Sequence, residues 1–328
     1  MITLSNILVV ALKEYSESIH SIRFKLLFLI FLSLILISAY EGARQYQLSL
    51  KAYNQAVGST QSYGDVEVKL ELPKPSVLTA FTVLMSSGVA VVGAILGIFL
   101  GFNAISGERE QGSLDFLLTQ PLFRDDILNG KMLGFILLIF TVVFASGLFS
   151  FGVISTLTGV FPSGDEFWRI LTFFTTLFIY ILSFASISVL FSVLFKSSVD
   201  ALLASISVFV ILNMLLSPLG DAAASLIYPL PIESFAENSA VKFNAIFEKQ
   251  LDMKKTIDFF SPSGNFEQTS SVILDPYLST DTSQEYSMSI RHSLSESLGL
   301  IWSNIVALIL TLALPFIASY ILFLRQDI

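Results

Sequence analysis

Six stretches of the chain contain no charged residue, and they limit its fold more than any other feature. They are 26–40, 75–107, 132–164, 170–195, 201–220 and 297–324. Five of the six are 20 residues or longer, about the length a helix needs to cross roughly 30 Å of hydrocarbon. Only 13% of the 328 residues are charged, about half the share of an ordinary soluble domain. The first window, 15 residues, completes a crossing if Arg23 and Lys25 reach back to the headgroups and Tyr40 sits at the far interface. Ala39 is a small residue after an apolar run, as at a leader cleavage site. The 25 residues before that run are too long and too amphipathic for a leader, so the segment is read as a retained span. The expectation is an all-α polytopic membrane protein with six transmembrane helices.

The segments between the windows organise the rest. In residues 1–25, Ile7, Leu8, Leu12, Tyr15, Ile19 and Ile22 recur at helical spacing, with Lys13, Glu14, Glu17 and His20 between them. This predicts an amphipathic helix lying on the membrane surface. Residues 26–217 hold the first five spans and 297–328 the sixth with a short tail. A polar insertion at 41–76 follows the first span. Within it Val66–Leu72 alternates apolar and charged residues, the pattern of a short strand that Pro73 and Pro75 end. FPSGDEFW and KSSVD read as tight turns between spans. A second insertion, 218–296, includes the polar run Asp221–Glu296, with a helix expected around 240–260 and SPSGNFEQ expected as a loop. It is read as a small cap too polar to enter the membrane. Pro315 predicts a kink in the sixth span.

Six spans put both termini on one side. The longer insertions and the turn after the third span carry 17 acidic and 10 basic residues, and nine of those basic residues lie in the two insertions, which count little in the positive-inside rule. Both termini and residues 104–134 are therefore expected in the cytoplasm, and the insertions outside.

Residues 104–134, AISGEREQGSLDFLLTQPLFRDDILNGKMLG, place eight charged residues between two long charge-free windows. Gly107 permits a bend, and Glu108 and Glu110 suit the positive end of a helix dipole. Leu114, Leu117 and Leu118 form an apolar face, and Pro121 stops the helix. Asp125 and Asp126 open a second helix that Lys131 leads back towards lipid. The pattern is a stiff helix–break–helix elbow over 106–131, pinned at both ends. It suits either a force-transmitting element or a solvated loop kept out of lipid by its charges.

The same residues resemble the signature of ABC-type permeases of the type-2 exporter family, in particular the branch that includes the permease for nitrous-oxide-reductase maturation. Ile105, Gly107, Glu108, Arg109, Glu110, Gly112, Leu114, Leu117, Leu118, Pro121, Arg124, Ile127, Leu128, Gly130, Lys131, Leu133 and Gly134 match in order. The order of surface helix, spans and outer insertions fits as well, and SPSGNF resembles an outer-loop phrase of that branch. Ser113, Asp115 and Phe123 depart from the family's usual residues. Phe123 removes a helix N-cap that Asp125 could replace.

The resemblance implies a permease subunit in a prokaryotic plasma membrane, forming a homodimer that recruits two copies of a separate ATP-binding subunit. It implies that the elbow docks on that subunit as a coupling helix. Glu108, Arg109, Glu110, Gly112, Ser113, Leu114, Asp115, Leu117 and Leu118 would make the contact, and Gly107, Pro121, Arg124, Gly130 and Lys131 would shape the elbow. ATP and Mg would belong to the partner, and no cofactor or metal to this chain.

Other functions find little support in the residues. A P-loop needs G-x-x-x-x-G-K-[ST], whereas NGKM at 129–132 has Asp125 in place of the first Gly and Met132 in place of the hydroxyl. There is no Cys, and both His residues, His20 and His292, lie outside the windows, so neither a metal cluster nor an intramembrane hydrolase is indicated. The net charge of -8 without a basic run argues against nucleic acid. A secondary transporter or channel is the alternative class. Ion-coupled carriers usually keep a charge inside the bundle, and the windows hold none. The same absence favours an apolar or amphipathic cargo. Gly93, Gly97 and Gly101 form a stripe for close helix packing, within one subunit or at a seam between two. Asn103, Asn213 and Asn304 are read as packing amides.

Overall fold

The computed structural model of the protein describes residues 4–58, 74–112, 124–229, 239–277 and 291–325. Those residues are 88% helical and contain no strand. Among the described residues, six helices are long and apolar enough to cross a membrane. The expected strand at Val66–Leu72 lies outside the described residues.

Helix α1 (Leu4–His20) and helix α2 (Ile22–Gly58) meet at Ser21, whose hydroxyl accepts from the Phe24 amide. Helix α2 continues 18 residues past Tyr40, into the polar segment expected as an insertion. Its buried stripe continues through Ala39, Ala43 and Tyr46, at helical spacing. Gly42 lets the Ala80 backbone approach so closely that a Cβ would stand 2.0 Å from its carbonyl oxygen. Packing, rather than hydropathy, carries this helix onward.

The second window is two helices, α3 (Leu78–Ser86) and α4 (Val89–Gly101), separated at Gly88 with φ +80°. A turn at 102–105 leads to helix α5 (Ser106–Glu110). The bend is therefore earlier than Gly107. That glycine lies inside α5, where a Cβ would collide with the Asn103 side chain. Helix α6 (Arg124–Thr158) is the third span; Asp125 and Asp126 lie in its first turn, so Asp125 is not its cap.

Helix α7 (Gly164–Leu194) opens with a capping box: Ser163 accepts from the Glu166 amide, and Glu166 accepts from the Ser163 amide. It is the buried post of the bundle, with 72% of its apolar window enclosed against 17% for the fifth and sixth spans. Its serines cross-link its neighbours. Ser183 and Ser186 donate to Leu308 and Leu312 of the sixth span, and Ser188 donates to Ile98 of α4. The glycine stripe faces the same post. Cβ atoms at Gly93, Gly97 and Gly101 would strike Ile181, its carbonyl, and Ala185 with Ser188. Those contacts lie within one chain.

The fifth span is α8 (Ser198–Val210), a π-turn (Ile211–Leu215) and α9 (Leu216–Ile227). The Leu216 amide bonds to the Ile211 carbonyl, one residue further back than in an α-helix, which frees the Leu212 carbonyl. The hydroxyl of Ser261 donates to it at 2.8 Å.

Helix α10 (Ser239–Asp258) covers the expected helix, but SPSGNFEQ is not a loop. It begins helix α11 (Pro262–Leu274), capped by Ser261 with Pro262 in the first turn. Nor is this insertion wholly a polar cap. Pro262, Asn265, Phe266 and five further residues of α11 are buried, and Phe266 packs on Phe173 and Tyr180 of α7. Polar residues that suggested a loop find partners inside: the Asn265 amide nitrogen donates to the Phe259 and Ser261 carbonyls. Helix α12 (Leu294–Arg325), the sixth span, runs through Pro315 without interruption. Arg169, fully buried near the start of α7, ties this end together. It pairs with Asp165 at 3.1 Å and donates to the Ile273 and His292 carbonyls and the Ser297 hydroxyl.

Candidate functional site

The charged elbow is where most of the spans meet. Helix α5 is only five residues long, too short to be stable alone. Its neighbours hold it. The Ile105 and Ser106 amides both donate to the Ser192 hydroxyl near the end of α7, at 2.9 and 3.0 Å. Glu110 accepts from the Ser198 amide at 2.9 Å and from the Ser198 hydroxyl at 2.7 Å, which anchors α5 to the start of the fifth span. Asn103 accepts from the same hydroxyl. Arg109 donates to the Phe195 carbonyl at 3.3 Å.

Lys131 supplies the other anchor. Its side chain is 7% exposed, and its ammonium lies 2.8 Å from Glu108 and 3.0 Å from Glu14. Two carboxylates take the place of the water this buried ammonium has lost. The triad joins α5, α6 and α1. Helix α1 lies directly on α6 because Gly130 and Gly134 present no side chain: Cβ atoms there would meet Val10 and Ile7, and Glu14 and Ala11. Gly130, Lys131 and Gly134 thus form one docking surface for α1.

Helix α5 continues from α4, is bonded directly to α6, α7 and α8, and is reached by α1 through Lys131. Such an element cannot be displaced without straining several spans at once. Gly112, just after it, has a φ of +66°, a left-handed conformation that favours glycine. Glu110, Gln111 and Gly112 are exposed. Ser113, Leu114, Asp115, Leu117, Leu118 and Pro121 lie outside the described residues, as does the side chain of Arg124.

The sequence pointed to Glu108, Arg109, Glu110 and Lys131 without their intramolecular partners. Glu14, Ser192 and Ser198 were missed. Lys131 carried a signal, as a lone cation heading a 33-residue charge-free window, but nothing in the sequence pointed to the serines. Asp126 was also missed as a buried group. Fully buried in the first turn of α6, its oxygens have no hydrogen-bond partner among the described residues. No group of metal-ligating side chains exists among the described residues.

A family model described as "ABC-2 family transporter protein" matches residues 8–328. No curated protein matches the sequence.

Proposed function

We infer that this chain, which belongs to the ABC-2 family of transporter proteins, is the membrane subunit of an ATP-driven exporter of an apolar or amphipathic cargo. The reading rests chiefly on the convergence of four spans and α1 upon the five-residue helix α5. A separate ATP-binding subunit, holding ATP and Mg, would engage the elbow at Arg109, Glu110, Gly112, Ser113, Leu114, Asp115, Leu117 and Leu118. Glu108 would act from behind, passing movement to α6 and α1 through Lys131. Two permease copies and two ATP-binding subunits would form the working unit in a prokaryotic plasma membrane, with both termini and the elbow in the cytoplasm. The charge-free middles of the spans support an apolar pathway. The match of Ile105–Gly134 supports the nitrous-oxide-reductase maturation branch, on the motif alone.

The chain has no cysteine, so Gln111→Cys provides a unique label. In oriented vesicles it should react only from the cytoplasmic face, and bound ATP-binding subunit should protect it. Vesicles should export cargo only with ATP. Labelling from the exterior, or transport by the chain alone, would overturn the reading.

A further inference from the structure

A cavity of about 210 Å³ opens where α1, the start of α2 and the end of α4 come together. Taking about 30 Å³ per water, it holds roughly seven, enough for a small headgroup but not for acyl chains. Its depth is set by sequence: Arg23 stands three residues before the first charge-free window, the level of phospholipid headgroups.

Its lining divides by chemistry. Phe99 and Phe102 form an apolar side. Arg23 and Asn103 supply donors. No carboxylate among the described residues pairs with Arg23. Asn103 lies 2.9 Å from the Ser198 hydroxyl and brings an amide to the cavity. Glu14 and Glu17 supply acceptors. Glu17 is held only by an exposed pair with Lys13 at 3.6 Å, a weak tie in water.

We propose that this cavity binds the headgroup of a zwitterionic aminophospholipid, its phosphate on Arg23 and Asn103 and its ammonium at Glu17. Arg23 has no carboxylate partner among the described residues and Glu17 has only a weak one, so the cavity offers one sign to each end of a ligand carrying both. Acyl chains would leave the cavity past Phe99 and Phe102, its apolar lining. Glu14 also belongs to the buried Lys131 triad, so an occupied cavity bears directly on the elbow. Binding requires no partner subunit and is independent of the transport reading.

The purified chain in nanodiscs of phosphatidylcholine with minor phosphatidylethanolamine or phosphatidylglycerol tests this, with retained lipids counted by native mass spectrometry. The wild type should retain one phosphatidylethanolamine per chain in preference to either competitor. Arg23→Gln should lower that retention by about tenfold, as expected for a lost charge-assisted bond. Glu17→Gln should reduce the preference for phosphatidylethanolamine over phosphatidylglycerol. Both positions are exposed, and unchanged thermal transitions would confirm folding. Unaltered retention in Arg23→Gln, or a preference for phosphatidylglycerol in the wild type, overturns the proposal. Displacement of the lipid by millimolar phosphoethanolamine or inorganic phosphate also overturns it, because the site would then serve a soluble phosphate.

Discussion

The Glu108 carboxylate lies 2.8 Å from the Lys131 ammonium, in a setting where that ammonium is almost sealed from solvent. The contact links a helix too short to hold itself to a span of 35 residues. Glu14 completes it from α1. A buried ion pair contributes little net stability against an apolar replacement of the whole group, but removing one partner leaves charge stranded.

Lys131→Ala should therefore cost about 3–5 kcal/mol, since it leaves two carboxylates facing each other in a buried site. Glu108→Gln should cost less, because Glu14 remains to neutralise the lysine. Thermal unfolding of the purified chain ranks the two. Equal stability of Lys131→Ala and the wild type would contradict the triad.

Arg169 should tolerate no conservative replacement. Its guanidinium reaches Asp165, two carbonyls and a hydroxyl at once, and a lysine ammonium cannot span that set. Arg169→Lys should lower the unfolding temperature nearly as far as Arg169→Ala. Rescue by lysine would show that charge alone matters there.

Two glycine substitutions should behave oppositely. At Gly97 a Cβ would stand 2.4 Å from the Ile181 carbonyl oxygen, so Gly97→Ala should destabilise by about 1–3 kcal/mol. At Gly152, also inside a span, nothing lies within 4 Å, and Gly152→Ala should be neutral or stabilising by up to about 1 kcal/mol. The same sign for both in denaturation measurements would mean that α4 does not rest on α7 as described.

Ser261 performs two tasks that substitutions can separate. It caps α11 and donates to the carbonyl freed by the π-turn. Ser261→Asp keeps a cap and loses the donor; Ser261→Ala loses both, at about 1–2 kcal/mol for the cap. Ser261→Thr keeps both. Stability should fall in the order Thr, Asp, Ala, and hydrogen exchange at the π-turn should rise in Asp as well as Ala. Unchanged exchange there in Ser261→Asp would remove the link.

Six candidate spans and the N-terminal helix α1 were legible in the chain because each depends on local content: the cost of charge in lipid and helical periodicity. SPSGNFEQ shows where that reading fails. Its polar residues signal a loop when taken alone. Inside the bundle Ser261 and Asn265 find partners that turn the same segment into a buried helix. The end of α2 fails for the converse reason, since a polar helix persists where one face still has a core to cover.

Local chemistry determined which residues must avoid lipid, and so the number of spans and the position of the elbow between the second and third. Tertiary structure alone decided that Lys131 would meet Glu14, 117 residues earlier in the chain, and that Ser198 would hold Glu110. Burying a charge is costly whatever its sequence neighbours, but which distant group offsets that cost is settled only when the helices pack.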